Sequence, residues 1–247
     1  MKRFLKIALA LVALAVILGA MGFVGWGLTP QAAMPQALAA LQSDSQVQVQ
    51  TSPWYIFRPT GSEPVTGLIF YPGGHVDPRA YAPMAHAIAA QGYLVVIPPM
   101  PLALAFFGIG VGQDVMNAYP QIRSWAVAGH SLGGVAAASF AASRPDRVQA
   151  LALWASYPAD GDSLATSTLK VVSIYATQDG LSTGAKIDTS RKLLPASTQW
   201  VEIMGGNHGQ FGWYGAQSGD GTATISREDQ QKQIVDATVA LLKEISQ

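Results

Sequence analysis

The stretch Ser124-Trp-Ala-Val-Ala-Gly-His-Ser-Leu-Gly-Gly134 decides the fold of this chain. Its apolar run Trp125–Ala128 is typical of a buried strand, and the alanine-rich run that follows is typical of a helix. Between them stands the pattern G-x-S-x-G. A side chain at Gly129 or Gly133 would meet the neighbouring strand and helix in so tight a turn. The sequence therefore predicts a nucleophile elbow, which presents the hydroxyl of Ser131 at a helix N-terminus.

The pentapeptide by itself has a competing interpretation. Because Gly and Ser are each about 7% of an average protein, G-x-S-x-G arises by chance in roughly one chain of this length in ten. A glycine-rich turn with an idle serine is therefore the alternative. The strand before the motif, the helix after it and the acid and base candidates described below favour the elbow.

Composition limits the class of protein. The 247 residues include 49% hydrophobic and 12% charged side chains with a formal net charge of zero. They suit one domain with a large core plus an appendage. No basic cluster occurs outside the N-terminus, so we expect no nucleic-acid partner. The absence of cysteine excludes disulfides, thiolate metal sites, a cysteine nucleophile and a lipoprotein anchor.

The N-terminus has the pattern of a membrane segment. Lys2, Arg3 and Lys6 precede the uncharged run Ile7–Leu28, and a helix of about 20 residues crosses a bilayer. No further Lys or Arg occurs before Arg58. By the positive-inside rule the N-terminus then stays in the cytoplasm and the rest is exported.

Two interpretations of this segment stay open. We predict that residues 1–28 form a transmembrane anchor and that residues 29–45 form a tether or short helix. The alternative is a signal segment, cleaved at the A-x-A-like site Ala37-Leu-Ala39, which would leave a secreted or periplasmic protein. Both place the domain outside the cytoplasm.

The remaining chain alternates between strand and helix patterns. Seven runs are predicted as strands in addition to the elbow strand: 47–50, 54–58, 67–71, 93–97, 148–155, 169–176 and 198–204. Helices are predicted over 81–91, 115–119, 186–194 and 227–245, besides the elbow helix, with Ser226 and Asp229 as a capping pair. The first two strands look antiparallel. The pattern predicts an α/β fold with a mainly parallel sheet covered by helices on both faces.

A serine hydroxyl needs a base to take its proton and an acid to orient that base. Asp179 follows the strand predicted over 169–176, and His208 follows the strand predicted over 198–204. Because the carboxyl ends of parallel strands build the sites of such sheets, we expect Ser131, Asp179 and His208 to meet there. The order Ser, Asp, His is that of the α/β-hydrolases.

Other acids and histidines are weaker candidates. The competing acids are Asp188, inside a predicted helix, and Asp160 and Asp162, in a short turn. His130 is expected to pack beside the site, and His86 lies on an amphipathic helix, where a structural role is expected. His75 adjoins the turn Pro72-Gly-Gly74 and is a candidate for lining the substrate pocket.

The tetrahedral intermediate of acyl transfer requires backbone N–H groups that already point at its oxyanion. Leu132, the residue after the nucleophile, is predicted to supply one. We predict the other from Gly74, in the turn that follows the strand 67–71; a turn without a catalytic role is the alternative.

Three segments carry a family resemblance: Tyr-Pro-Gly-Gly-His-Val (71–76), Gly-His-Ser-Leu-Gly-Gly (129–134) and Gly-Gly-Asn-His-Gly-Gln-Phe-Gly-Trp-Tyr-Gly (205–215). With these, the chain resembles the α/β-hydrolases over about residues 46–246. More narrowly, it resembles a bacterial subgroup of small membrane-anchored or exported enzymes grouped with the dienelactone-hydrolase-like proteins. The resemblance implies an α/β-hydrolase domain over 46–247, a triad of Ser131, Asp179 and His208, and no cofactor.

Two departures limit what the resemblance implies. A dienelactone hydrolase has cysteine as its nucleophile, whereas this chain has serine. Only about a dozen residues separate Tyr157 from Leu169, where many relatives insert a cap domain, so we expect almost no lid. The stretch 212–225 also resembles the subgroup, but its sequence indicates no role; a calcium loop would need more than its one acidic residue, Asp220.

The function expected from these residues is a serine hydrolase that cleaves ester or related acyl bonds of a small-molecule substrate through an acyl-enzyme on Ser131. The alternatives are an acyltransferase using the same acyl-enzyme and a non-catalytic binding protein of the same fold. The apolar loop 100–111 is expected to place Phe106 and Phe107 in an acyl pocket near the membrane surface. A loop folded onto its own core is the other interpretation.

Overall fold

The computed structural model describes residues 2–246, and within them one sheet holds eight strands in the order β1-β2-β4-β3-β5-β6-β7-β8. The strands are β1 Val47–Gln50, β2 Tyr55–Pro59, β3 Thr66–Tyr71, β4 Leu94–Ile97, β5 Ser124–His130, β6 Ala150–Trp154, β7 Lys170–Ala176 and β8 Gln199–Ile203. Strand β2 runs antiparallel to both β1 and β4, and all other neighbours are parallel. The predicted mainly parallel sheet is confirmed.

Seven α-helices accompany the sheet in the described residues. They are α1 Lys2–Gly27, α2 Pro35–Ala39, α3 Ala82–Ala89, α4 Val111–Ala118, α5 Leu132–Ser143, α6 Gly184–Ser190 and α7 Arg227–Ile245. The segment expected to be a tether or short helix thus contains α2. Helix α7 begins after the predicted cap, because Ser226 Oγ accepts from the Asp229 amide at 3.0 Å and donates to the Asp229 carboxylate at 2.7 Å.

Helices cover both faces of the sheet, as expected from strands that are apolar throughout. Along β3 the side chains of Leu68 and Phe70 enter the core under α3 and α7, whereas Ile69 and Tyr71 enter the core under α4 and α5. The alternation of a strand therefore feeds two separate cores. Residues 155–169 between β6 and β7 form neither helix nor strand, which confirms that no cap domain is inserted there.

Several helix boundaries differ from the prediction, most clearly in α4 and α6. Helix α4 begins at Val111, whereas the pattern predicted a start at 115, so the helix includes Gly112. In the fold its missing side chain leaves room for Phe140 and Tyr71, since a Cβ there would lie 2.7 Å from each. Helix α6 ends at Ser190 and continues as a 3-10 turn over Arg191–Leu193.

Helix α1 lies outside the sheet, and the large apolar side chains described on it are 43% to 79% exposed. Among residues 2–246 it is the helix long and apolar enough to cross a membrane, a property that a signal sequence shares. The chain after it is fixed to the domain. Gln31 forms a parallel bridge with Val76, and the Met34 amide donates to the Trp213 carbonyl at 2.8 Å.

Candidate active site

The predicted elbow is present at the end of β5. Ser131 has φ 52° and ψ −122°, an unfavourable conformation for a residue with a side chain, and α5 begins at the next residue. A Cβ on Gly129 would lie 2.3 Å from the carbonyl carbon of Gly133. A Cβ on Gly133 would lie 2.0 Å from the carbonyl oxygen of Tyr71. Both glycines are therefore required by the close approach of backbone to backbone.

The strained serine is held from the end of β6. Its N–H donates to the Trp154 carbonyl at 3.0 Å, and its own carbonyl accepts from the Ser156 hydroxyl at 2.6 Å. Ser156 is buried and was not a candidate in the sequence, where a serine after a strand gives no particular signal. Its hydrogen bond fixes the orientation of the peptide group between Ser131 and Leu132.

Asp179 and His208 meet as predicted, each just beyond the end of a strand. Asp179 Oδ1 accepts from the amides of Leu181 at 2.8 Å and Ser182 at 2.7 Å, which leaves Oδ2 directed at His208 Nδ1, 2.8 Å away. Both side chains are fully buried. Because a carboxylate accepts, Nδ1 carries the proton, and Nε2 of the neutral ring has a free lone pair.

The free nitrogen of His208 lies beside the elbow. Nε2 is buried and has no hydrogen-bond partner among the described residues. The ring of His130, the residue before Ser131, lies 4.5 Å from the His208 ring between centroids. By contrast, Asp188, one of the competing acids, is exposed and pairs with Arg191 at 3.0 Å, and Asp160 is exposed.

His130 connects the elbow to the turn after β3. Its Nδ1 lies 2.9 Å from the Tyr81 hydroxyl, which also accepts from the Gly73 amide at 3.0 Å. Burial raises the pKa of Tyr81, so the phenol keeps its proton and donates it to Nδ1. The sequence did not indicate Tyr81, because it reads as one more apolar residue at the start of a helix.

The two predicted oxyanion donors lie close together. A Cβ on Gly74 would be 2.9 Å from Leu132 Cδ2, so the turn packs against the first residue of α5. In the described chain neither the Gly74 amide nor the Leu132 amide has a hydrogen-bond partner, whereas the amides of Gly73 and His75 on either side of Gly74 do. A free N–H is expected in the first turn of a helix, and the second comes from the turn.

Two of the predicted pocket residues, His75 and Phe107, adjoin α1. His75, at φ 57°, stacks on the Trp26 ring at 4.0 Å between centroids, and its Nε2 lies 2.8 Å from the Trp26 carbonyl oxygen. Phe106 and Phe107 form a 3-10 turn with Ala105 and are about half exposed. Their part in substrate binding, like that of His75 and His130, stays a prediction.

Metal ligation has no candidate in the part of the chain that the structure describes. Over residues 2–246, no three His, Asp or Glu side chains lie close enough together to hold one ion.

A mainly parallel sheet with a strained serine after β5 and an acid–base pair beyond β7 and β8 defines the α/β-hydrolase class. The sequence model of the alpha/beta hydrolase family matches residues 67–232, and the chain belongs to this family. The resemblance to the α/β-hydrolases is thereby confirmed. Among curated protein sequences none matches this chain.

Solved structures of low sequence identity share the fold. An esterase domain of a Rhodothermus marinus protein is 13% identical with a TM-score of 0.61, covering 78% of this chain and 93% of that one. A dienelactone hydrolase from Anabaena variabilis is 15% identical with a TM-score of 0.60, covering 83% and 99%. A Thermogutta terrifontis esterase is 15% identical with a TM-score of 0.56, covering 81% and 92%. At these identities the likeness concerns the fold alone.

The protonation of His130 predicts a pH dependence of stability. Burial lowers the pKa of His130 well below its usual value, and the neighbouring His208 lowers it further. Below about pH 6.5 an unfolded histidine binds a proton that folded His130 does not. The free energy of unfolding therefore falls as the pH falls from about 6.5 toward the lowered pKa, by up to about 1.4 kcal/mol per pH unit from this residue.

We expect His130→Asn to remove this contribution. The measurement is chemical denaturation of wild type and variant in a mild detergent that covers α1. Below about pH 6.5 the unfolding free energy of the variant should fall less steeply with pH, and the difference in slope should correspond to at most one proton taken up on unfolding. Any loss of packing lowers both ends of the variant's curve and leaves this difference in slope. Parallel curves for the two proteins would contradict a neutral His130.

Proposed function

We propose that the protein hydrolyses carboxylic esters through an acyl-enzyme formed on Ser131. The observation that carries the proposal is the free Nε2 of His208, a buried base beside the elbow whose other ring nitrogen is fixed on the buried carboxylate of Asp179. A base oriented in this way is what a serine hydroxyl needs to become a nucleophile.

The chemistry follows from these positions. His208 Nε2 takes the proton of Ser131 Oγ as Oγ attacks the ester carbonyl carbon, and the carbonyl oxygen becomes negative. The free amides of Gly74 and Leu132 are positioned to bind that oxygen, assisted by the N-terminus of α5. Asp179 stabilises the imidazolium and keeps its orientation.

The intermediate then collapses in two stages. The bond to the alcohol oxygen breaks, and His208 gives its proton to that oxygen, which leaves the acyl group on Ser131. Water repeats the sequence with His208 as base, and the acid is released while Ser131 regains its proton. No redox step or external co-reactant other than water is required.

The structural neighbours support an ester as the substrate. Two of the three are esterases and the third is a dienelactone hydrolase. A shared fold does not by itself transfer an activity. Those neighbours favour ester hydrolysis as the first activity to test on this chain.

The triad is tested by substitution. Ser131→Ala should abolish fluorophosphonate labelling and lower kcat for a p-nitrophenyl ester by several orders of magnitude, because the nucleophile is gone. His208→Ala should act alike, and Asp179→Asn should reduce kcat by roughly 10⁴-fold, because the imidazole loses its orienting acceptor. Circular dichroism checks that each variant is folded.

Asp188→Asn is the matched control, because Asp188 is exposed and forms its ion pair with Arg191, not with His208. Near-normal turnover by Ser131→Ala would overturn the assignment of Ser131 as the nucleophile. A severe loss of activity in Asp188→Asn, with near-normal activity in Asp179→Asn, would overturn the assignment of Asp179 as the acid. Full labelling without turnover of any ester in a panel would favour a different acyl substrate.

We propose further that α1 stays on the mature protein as a membrane anchor, with the hydrolase domain outside the cytoplasm. Cleavage near Ala39 would remove the stack of Trp26 on His75 and the bridge of Gln31 to Val76. It would also remove the close contact of Gly27 with Leu102. A segment that packs beside the turn Pro72-Gly-Gly74 is better explained as a permanent part of the protein.

The anchor is tested by fractionation. Full-length protein should sediment with membranes and remain there after a carbonate wash, because a long apolar helix does not leave the bilayer at high pH. Mass spectrometry of the purified protein should show that the residues of α1 are still attached. Soluble protein starting near Ala39 or Ala40 would show a cleaved signal instead.

The acyl chain is proposed to lie along the loop 100–111. The turn Pro72-Gly-Gly74 adjoins this loop, because a Cβ on Gly74 would be 3.7 Å from Leu104 Cδ2. Farther out, the Phe107 ring lies 6.5 Å from Phe23 of α1, so the loop meets the last turns of the apolar helix. A chain bound there would extend from Ser131 toward the membrane surface.

Chain length is the measurement that tests this pocket. Each buried CH₂ is worth up to about 0.8 kcal/mol, so kcat/KM should rise up to about fourfold per CH₂ until the pocket fills. Phe106→Ala and Phe107→Ala should flatten that rise and spare acetate esters. Val65→Ala is the control, since Val65 is similarly exposed but precedes β3 at the opposite edge of the sheet. Equal losses at every length with a lowered melting temperature would mean that the loop is only core.

A further inference from the structure

The segment between the His208 loop and α7 lies across the loops that carry both the acid and the base. Its centre is Gly219-Asp220-Gly221, here called the 219–221 segment. Sequence patterns gave this segment no role. In the fold its only acidic side chain points into the main chain of the two loops beyond β7 and β8.

All hydrogen bonds of the Asp220 carboxylate come from backbone N–H groups. Oδ1 accepts from Gly180 at 3.2 Å, from His208 at 3.1 Å and from Gly221 at 2.8 Å. Oδ2 accepts from Gly209 at 2.8 Å. Gly180 directly follows Asp179, so one carboxylate joins the main chain beside the acid to the main chain of the base.

The glycines of the segment are explained by the same contacts. A Cβ on Gly180 would lie 2.1 Å from the Gly219 carbonyl oxygen, and a Cβ on Gly221 would lie 2.1 Å from the Gln178 carbonyl oxygen. Gly219 itself has φ +84°, a conformation that favours glycine. The 219–221 segment therefore lies backbone to backbone on the Asp179 loop, with no side chain between them.

The arrangement needs a carboxylate. Its two oxygens offer about four acceptor sites, which is the number of N–H groups that converge on it. Hydrogen bonds to a charged acceptor are about twice as strong as neutral ones. In the described part of the chain no Lys, Arg or His forms a salt bridge with Asp220.

We propose that Asp220 is a positioning residue of the candidate active site, which fixes the main chain of His208 relative to Asp179 while Asp179 fixes the ring. The inference rests on the proposed function of His208 as the base. His208 is then held by two carboxylates, one on its backbone amide and one on Nδ1. Free movement of the loop by about 1 Å would misplace Nε2 for taking the proton of Ser131 in the proposed reaction, and displacements of that size cost up to about 100-fold in rate.

The test is Asp220→Asn in the full-length protein. An amide keeps one acceptor oxygen but turns an NH₂ group toward N–H donors, so the carboxylate's contacts cannot all reform. We expect kcat to fall roughly 10- to 100-fold with KM nearly unchanged, because substrate contacts are untouched. The low-field proton resonance of the Asp179–His208 hydrogen bond should shift or broaden. Ser218→Ala, an exposed change in the same segment, should match wild type in both.

Active-site titration with a fluorophosphonate separates positioning from folding, because kcat is then expressed per competent site. Wild-type kcat per site and an unmoved resonance in Asp220→Asn would overturn the proposal, even if the melting temperature fell. A raised KM with unchanged kcat would also overturn it. If the variant fails to fold, hydrogen exchange of backbone amides in the wild type decides whether Asp220 holds the two loops. Slow exchange at Gly180, His208 and Gly209 supports the proposal. Exchange at the rate of an unprotected loop overturns it.

Failure of this inference differs from failure of the proposed function. If Ser131→Ala is inactive and Asp220→Asn is normal, only the role of Asp220 is lost. If Ser131→Ala stays active, the assignment of Ser131 as the nucleophile is wrong. The resonance and the amide-exchange data then still report whether Asp220 holds the two loops together.

Discussion

The close packing of Gly133 against the carbonyl oxygen of Tyr71 constrains the rest of the site. Strands β3 and β5 pair in parallel, with Tyr71 opposite Gly129, so the elbow and the end of β3 stand side by side. The turn after β3 then has to pass over the N-terminus of α5. This contact brings the elbow serine to the same end of the sheet as the free amides of Gly74 and Leu132.

Main-chain hydrogen bonds to side chains set the geometry around that edge. Ser156 fixes the serine peptide, Asp179 is fixed by two amides of its own loop, and Asp220 joins the Asp179 and His208 loops. Such contacts order loops that lack secondary structure of their own. Under the proposed function these dipoles would be in place before substrate binds, which favours electrostatic stabilisation of a transition state.

The N-terminal helix meets the site beside the turn Pro72-Gly-Gly74, where Trp26 stacks on His75. Trp26 covers one face of His75, whose neighbour in the chain is Gly74, and Phe23 contacts Phe107. The apolar helix and the apolar loop 100–111 thus lie against each other at Phe23 and Phe107. If α1 spans a bilayer, as proposed, the same contacts hold the catalytic edge close to the membrane, where an acyl chain would already be partly desolvated.

The sequence alone determined the fold class, the elbow, the order of Ser131, Asp179 and His208, and the cap of α7, because each depends on a local pattern: the period of apolar residues, glycines in a tight turn, or a capping side chain. Only the tertiary structure decided that Tyr81 bonds His130, 49 positions away, and that Asp220 bonds Gly180, 40 positions away. It also decided where the end of α1 packs. These contacts join segments distant in the chain, and a single polar side chain that finds its partners across the fold leaves no periodic signal in the sequence.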